Sequence, residues 1–253
     1  MNDHDALLHA IGEHPEEDTP RLMFADWLEE NGQPERADFA RNQIELTRSE
    51  LTPAERHPLV KKNVYYLNNW VPHWKAQLPR IDGIEWGDFN RGLIEEVQTS
   101  SIERLIDRAA DVFTVPGIHI LRVGWLGNYP TRLSELARVS ELSRLRALRL
   151  VASRANAEDL SVILSSGHLR RLNALDLHGN YANDAVAGDI ADGRFGNLTE
   201  LWLGSNQIGA RGARALAASP HLAELRFLDL RNNTIDHAGR STLRSRFGSK
   251  VKL

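Results

Sequence analysis

Leucine recurs through the second half of the chain in the pattern L-x-x-L-x-L. It is met at Leu145, Leu148 and Leu150, at Leu172, Leu175 and Leu177, at Leu198, Leu201 and Leu203, and at Leu225, Leu228 and Leu230. Ile118, Leu121 and Val123 repeat it with conservative exchanges, so the units start at 118, 145, 172, 198 and 225, spaced by 27, 27, 26 and 27 residues. Side chains alternate along a strand, so each L-x-L pair predicts a short strand with both leucines on one face. Between these strands the apolar period changes to that of a helix. The predicted helices are Pro130–Val139 (Leu133, Leu136, Ala137), Ala157–Ser166 (Leu160, Ile163, Leu164), Asn183–Asp192 (Val186, Ala187, Ile190), Ala210–Ser219 (Ala213, Leu216, Ala217) and His237–Phe247 (Leu243, Phe247). A strand-turn-helix unit cannot bury its apolar face alone, and the fixed period predicts that the units stack.

Three units continue into an asparagine at the same place: Asn180, Asn206 and Asn233. Two of these are followed by an isoleucine two residues on, Ile208 and Ile235. An amide at this point can satisfy backbone groups enclosed between stacked turns, and the three are read as a structural ladder. The second unit has Ser153 at the equivalent position and the first has Leu126, so the early repeats are irregular or capping. With these features in place, the run Leu198–Leu222 resembles the longer, helix-containing leucine-rich repeats of the ribonuclease-inhibitor type, and the resemblance extends over about residues 92–253. It implies an α/β fold: a right-handed leucine-rich-repeat solenoid with short parallel strands on its concave face and helices on its convex face.

Residues 1–80 carry no repeat. Asp3–Gly12 predicts a short helix, and Pro15 with Glu16, Glu17 and Asp18 a break. Thr19-Pro20 opens a second helix with a capping hydroxyl and a proline in its first turn, closed by Asn31-Gly32. A third begins at Pro34 and runs through Phe39, Ile44 and Leu46. Pro53 and Pro58 punctuate before a fourth that carries Val64, Leu67, Trp70 and Trp74. The segment Pro20–Gly32, followed by Glu35–Gln43, resembles the small repeat-companion domain found ahead of leucine-rich repeats in many planctomycete proteins. That resemblance implies a bacterial, cytoplasmic repeat protein with an all-α N-terminal cap, and implies no chemistry. Residues 81–117 form the junction: Ile84, Trp86, Phe89, Leu93, Ile94 and Val97 around Gly83, Gly87 and Gly92 predict a capping strand or hairpin, with a helical connection to the repeats of 118–253.

Composition narrows the chemistry. The chain has 253 residues, no cysteine and a net charge of −3. Disulfides, thiolate metal sites and cysteine nucleophiles are thereby excluded, and a reducing compartment fits. No apolar run approaches the roughly 20 residues that span a bilayer, and Met1–His14 has neither the basic start nor the apolar stretch of a signal peptide. Residues 1–80 carry a net −5 and residues 81–253 a net +2. The last helix gathers Arg240, Arg244, Arg246, Lys250 and Lys252, which a helix C-terminus favours, and nucleic acid is a disfavoured partner for so weakly charged a chain. The ten histidines include no H-E-x-x-H pair, and no nucleophile elbow, phosphate loop or dinucleotide fingerprint occurs, so no catalytic, cofactor or metal residues are assigned.

The predicted site is the outward side of the strands. Residues flanking each inward leucine pair form columns: Arg122, Arg149, Asp176, Trp202 and Asp229 in the centre, Glu200 and Phe227 before it, His178 and Arg231 after it. Aromatics set beside arginines and carboxylates are the composition of protein-binding hot spots. The expectation is therefore a non-enzymatic scaffold that binds an unidentified protein partner on its concave face. The alternative is a regulatory or enzymatic role in the acidic N-terminal region, where Asp26, Glu29 and Glu30 cluster, with the repeats recruiting a substrate.

Overall fold

The computed structural model describes residues 2–124, 132–193, 195 and 197–253. Leu126 and Pro130 lie outside the described residues. The first half of the chain runs α1 (Asp3–Glu13), α2 (Thr19–Glu30), α3 (Pro34–Leu46), α4 (Pro53–Asn69), α5 (Val71–Ala76), β1 (Ile84–Trp86), β2 (Phe89–Asn90), β3 (Leu93–Ile94), β4 (Glu96–Thr99), α6 (Ile102–Asp107) and α7 (Ala109–Val112). The second half follows as β5 (Ile120–Val123), α8 (Leu133–Leu136), β6 (Ala147–Leu150), α9 (Ala157–Leu164), β7 (Ala174–Asp176), α10 (Asp184–Ala191), β8 (Glu200–Trp202), α11 (Ala210–Ala218), β9 (Phe227–Asp229), α12 (His237–Phe247) and β10 (Val251–Lys252). The chain divides into two compact units. The first holds Met1–Arg80, Trp86–Glu96 and Phe113–Ile118, and the second holds Ile81–Glu85, Val97–Val112 and His119–Leu253.

In the first unit prolines mark the starts of α2 and α3, but the capping hydroxyl expected of Thr19 is not formed: Thr19 is already helical, and the cap residue Asp18 makes no side-chain cap. Pro20 and Pro34 stand in the first turns of α2 and α3. Ile11, Phe24, Ala25, Leu28, Ala37, Ala40 and Leu93 share one core. Leu93 belongs to the antiparallel hairpin β2–β3, so the hairpin expected at the junction is part of this unit, which is not all-helical. Gln43 of α3 holds that hairpin at both ends, donating to the Phe89 carbonyl at 3.0 Å and accepting from the Gly92 N–H at 2.9 Å. Gly92 has φ +85°, and a Cβ there would lie 2.4 Å from that of Ala40, so the close approach of hairpin to helix needs glycine.

A buried ion pair ties the same hairpin to α2. Arg21 is 1% exposed and donates to Glu95 Oε1 at 2.5 Å and to the Pro15 carbonyl at 2.8 Å. Asn90 Nδ2 donates to the other Glu95 oxygen at 2.6 Å. Arg91 adds bonds to the Pro15 and Glu16 carbonyls and an ion pair with Asp18, which hold the acidic break between α1 and α2 at these three residues. Burial pulls the Arg21 guanidinium below its usual range, against the opposing charge of Glu95.

The fourth helix departs from expectation. It starts at Pro53, not after Pro58, because Thr52 and Glu55 form a reciprocal capping box that secures the first turn and carries Pro58 inside the helix. It ends at Trp70, where Val71-Pro72 starts α5. Tyr66 and Trp74 enter the core against Phe39, whereas Val64 and Leu67 stay exposed. Tyr66 donates to Asp38 at 2.5 Å, which fixes the helix face that turns inward.

The second unit is mixed α/β. Its sheet has the order β1-β4-β5-β6-β7-β8-β9-β10, and β5 through β10 are parallel neighbours in sequence order. Leu121, Leu148, Leu175, Leu201 and Leu228 stand in register and are 0% exposed. Each such leucine contributes about 1.5–3 kcal/mol by its removal from water. Helices α8 to α12 pack on one another in chain order as a second layer. Gly212 allows the closest of these contacts: a Cβ there would come within 2.9 Å of Ala187 Cβ and 2.7 Å of Asp184 Oδ1. Asp184 also accepts from the N–H groups of Gly209 and Gly212, at 2.7 and 2.9 Å, so α10 caps the N-terminus of α11, whose own cap residue has no side chain to do so. Among the described residues of the helix expected over 130–139, Leu133–Leu136 are α-helical, and a 3-10 turn follows at Ser140–Arg144.

The asparagines act as a ladder. Asn206 accepts from Ala182 N–H at 2.9 Å and donates to the carbonyls of Leu177 and Leu203 at 2.9 and 3.1 Å. Asn233 repeats this one unit on, with Ile208 N–H, Leu203 O and Leu230 O. Asn180 does so one unit back, with Ala155 N–H, Leu150 O and Leu177 O. Ser153, fully buried at the equivalent place in the preceding unit, donates its hydroxyl to Asn180 Oδ1 at 2.8 Å and so closes the ladder. The residue before each rung has a left-handed backbone: Ala152 (φ 48°), Gly179 (72°), Ser205 (55°) and Asn232 (57°).

Two outcomes follow for stability. Asn206→Ala leaves a buried N–H and enclosed carbonyls without partners, each costing about 1–3 kcal/mol. A loss of roughly 2–4 kcal/mol in urea unfolding is expected, and a loss under about 1 kcal/mol would deny the rung its role. Glu95→Gln leaves the Arg21 cation buried against a neutral group. The expected cost is about 3–5 kcal/mol, read as early melting of the first unit by hydrogen exchange at α2 and the hairpin.

Candidate functional site

The strand register lines up the outward columns. Arg122, Arg149, Asp176, Trp202 and Asp229 are successive partners across β5–β9. Ile120, Ala147, Ala174, Glu200 and Phe227 form the row beside them. Alternation along each strand puts these residues opposite the buried leucines. Glu200 and Arg231 are exposed, while Arg122, Arg149, Asp176, His178, Trp202 and Phe227 are partly buried.

Trp202 and Phe227 sit diagonally across β8 and β9, with ring centroids 5.3 Å apart and planes at 44°. This tilted contact is favourable beyond simple burial. It also leaves both rings partly open, so packing and presentation coexist in one pair.

Asp229 differs from its neighbours in the central column. It is 2% exposed, accepts from the Arg231 N–H at 3.0 Å, and takes a two-pronged contact from the Arg231 guanidinium at 2.9 and 2.6 Å. The hydrogen bonds from Arg231 hold its carboxyl below the usual carboxylate range, against the opposing effect of burial. Asp229 is therefore a support that aims Arg231. On β7, Asp176 makes the equivalent backbone contact, accepting from His178 N–H at 2.9 Å.

The acidic group of α2 has a different fate. Asp26 and Glu29 both pair with Arg41 of α3, at 2.6 Å each, on the surface. A cleft of about 240 Å³ lies elsewhere in the first unit, against Phe24, Trp27, Gln33, Arg36, Trp74 and Phe89, and no carboxylate lines it. The paired-carboxylate pattern in the sequence thus resolves into ion pairs. The cleft is lined by one guanidinium, that of Arg36, which no motif or spacing singles out, and by the imidazole of His4. Among the described residues no group of three or more His, Asp or Glu is placed to hold a metal ion, and no helix is long and apolar enough to cross a membrane.

Comparison with known proteins agrees with the repeat. Residues 197–217 match the sequence profile described as "Leucine Rich repeat". Among solved structures, an internalin (inlF) from Listeria monocytogenes str. 4b F2365 is similar, with 22% sequence identity and a TM-score of 0.39. The match covers 61% of this chain and 37% of the internalin chain. No curated protein sequence matches significantly.

The Asp229–Arg231 pair has a defined pH signature. A carboxyl held low in the folded state adds stability that is present above the unfolded value and is lost as pH falls through the folded one. Wild-type protein is therefore expected to outlast Asp229→Asn in denaturant at neutral pH, with the gap closing as pH drops from about 5 to about 2. A gap that stays constant over that window would remove the ion pair as its cause.

Proposed function

We propose that this leucine-rich-repeat chain is a non-enzymatic protein-binding scaffold: a right-handed solenoid whose concave face, the outward side of β5–β9, holds the partner. The observation that carries this reading is the Trp202–Phe227 pair, partly open on the sheet and bordered by exposed Glu200 and Arg231. Large aromatics in a polar setting anchor protein interfaces because they bury much area at small entropic cost. Extended repeat surfaces serve this use because each unit adds outward positions without altering the core. The first unit is read as the companion domain, and a reducing, cytoplasmic setting fits a chain without cysteine. Acid–base chemistry in the cluster of Asp26, Glu29 and Glu30 draws no support from this geometry, since Asp26 and Glu29 pair with Arg41 at the surface.

The test is affinity capture from a native lysate with wild type and with Trp202→Ala, Glu200→Lys. Asp229 is left intact because it is buried and its loss would disturb the strand. A partner retained by wild type and depleted at least tenfold by the double variant is the expected result. A partner held equally by both would move the interface off the sheet.

A further inference from the structure

The first unit treats its arginines unequally. Arg21 is paired with Glu95, Arg91 with Asp18, and Arg41 with Asp26 and Glu29. Arg36 has none of this. Its Nε is buried without a hydrogen-bond partner, and no carboxylate among the described residues reaches its guanidinium. Burial alone draws this cation below its usual range. A buried donor without a partner is costly, and the contrast with the paired Arg21, Arg41 and Arg91 leaves this one to be explained.

The Arg36 Nε is enclosed but the side chain is partly exposed, so its terminal N–H groups are the ones open to a ligand. Arg36 is the third residue of α3, where the helix dipole disfavours a cation and favours an anion. The preceding cap residue, Gln33, makes no side-chain cap, so the N–H groups of Glu35 and Arg36 have no side-chain cap acceptor, while the Glu35 carboxylate stands in the same turn. Arg36, Gln33, Gln77 and His4 are the polar side chains of the cleft, and the rest of its wall is aromatic and aliphatic, with Phe24 and Trp27 on α2 and Trp74 on α5. The volume of about 240 Å³ falls just below the usual range of about 300–1,000 Å³ for drug-sized ligands. It suits one ring with a short side arm and is too small for a nucleotide.

We propose that this cleft is a binding site for a small aromatic monocarboxylate, with the carboxylate on the Arg36 fork and the ring between Trp27 and Trp74. The guanidinium presents two parallel N–H donors that match a carboxylate in a way no ammonium does. The ring replaces water on the apolar wall, so neither half of the ligand suffices alone. The site lies wholly within the first unit and is independent of the sheet face.

Phenylacetate and its neutral isostere phenylacetamide are the probes, titrated into the full chain by calorimetry and by tryptophan fluorescence. One-to-one saturable binding of phenylacetate is expected, with the amide at least tenfold weaker. Arg36→Gln should weaken phenylacetate at least tenfold and leave the amide nearly unchanged, while Arg36→Lys retains some of the preference for the anion. Trp27→Leu should weaken both probes. Absence of saturation up to about 10 mM, weaker than millimolar affinity, would overturn the proposal. So would equal binding of acid and amide, or undiminished binding of phenylacetate by Arg36→Gln. If Arg36→Gln fails the circular-dichroism check for folding, the acid-to-amide ratio in wild type and Arg36→Lys decides alone.

Discussion

The second unit depends on satisfying the backbone where the chain leaves each strand. A turn enclosed between stacked repeats carries N–H and C=O groups that water cannot reach, and each needs a partner inside the protein. The asparagine amide supplies an acceptor for one neighbour and donors for carbonyls of its own and the preceding unit, which makes the turns at Asn180, Asn206 and Asn233 joints between two repeats. The geometry has a cost: the residue ahead of the rung must take a left-handed backbone, and only one of the four such positions is glycine. Leucine burial supplies the bulk of the cohesion, but it is non-directional, and the rungs convert it into a fixed register.

That register is why so much of the second unit could be read in the sequence. A period of 26 or 27 residues with a period-2 core at each crest leaves one strand alignment that keeps every leucine inside. Asn180, Asn206 and Asn233 stood out for the same reason, and Ser153 in the ladder place turned out to be its terminal member. The first unit was legible where local rules act, as in the starts of α2 and α3, and opaque where distant segments decide. Nothing near Arg21 in sequence announces a pairing with Glu95, 74 residues away. Likewise the hairpin's alternation showed a hairpin and could not show which core Leu93 would enter. Pro58 reads as a stop because local rules give it that weight, whereas the capping box at Thr52 commits the helix before the proline is reached.

The motif residues of the first unit acquire physical meaning from these contacts. Arg21 builds the buried pair, Arg41 gathers Asp26 and Glu29, and Gln43 clamps the hairpin. All three tie one segment to another, so the compact motif is a set of fasteners. Arg36 belongs to the same stretch of sequence and has no such carboxylate or carbonyl to hold, which sets it apart from its neighbours.

The outward columns of the sheet carry one further consequence. A structure built by translation offers a partner the same backbone at every step, and a surface that repeated as faithfully as the core would let a ligand slide from one unit to the next. The columns do not repeat: Arg122 and Arg149 give way to Asp176, then to Trp202, then to a carboxylate already neutralised by Arg231. The change of charge and shape breaks the translational degeneracy, so that no two steps along the sheet present the same surface.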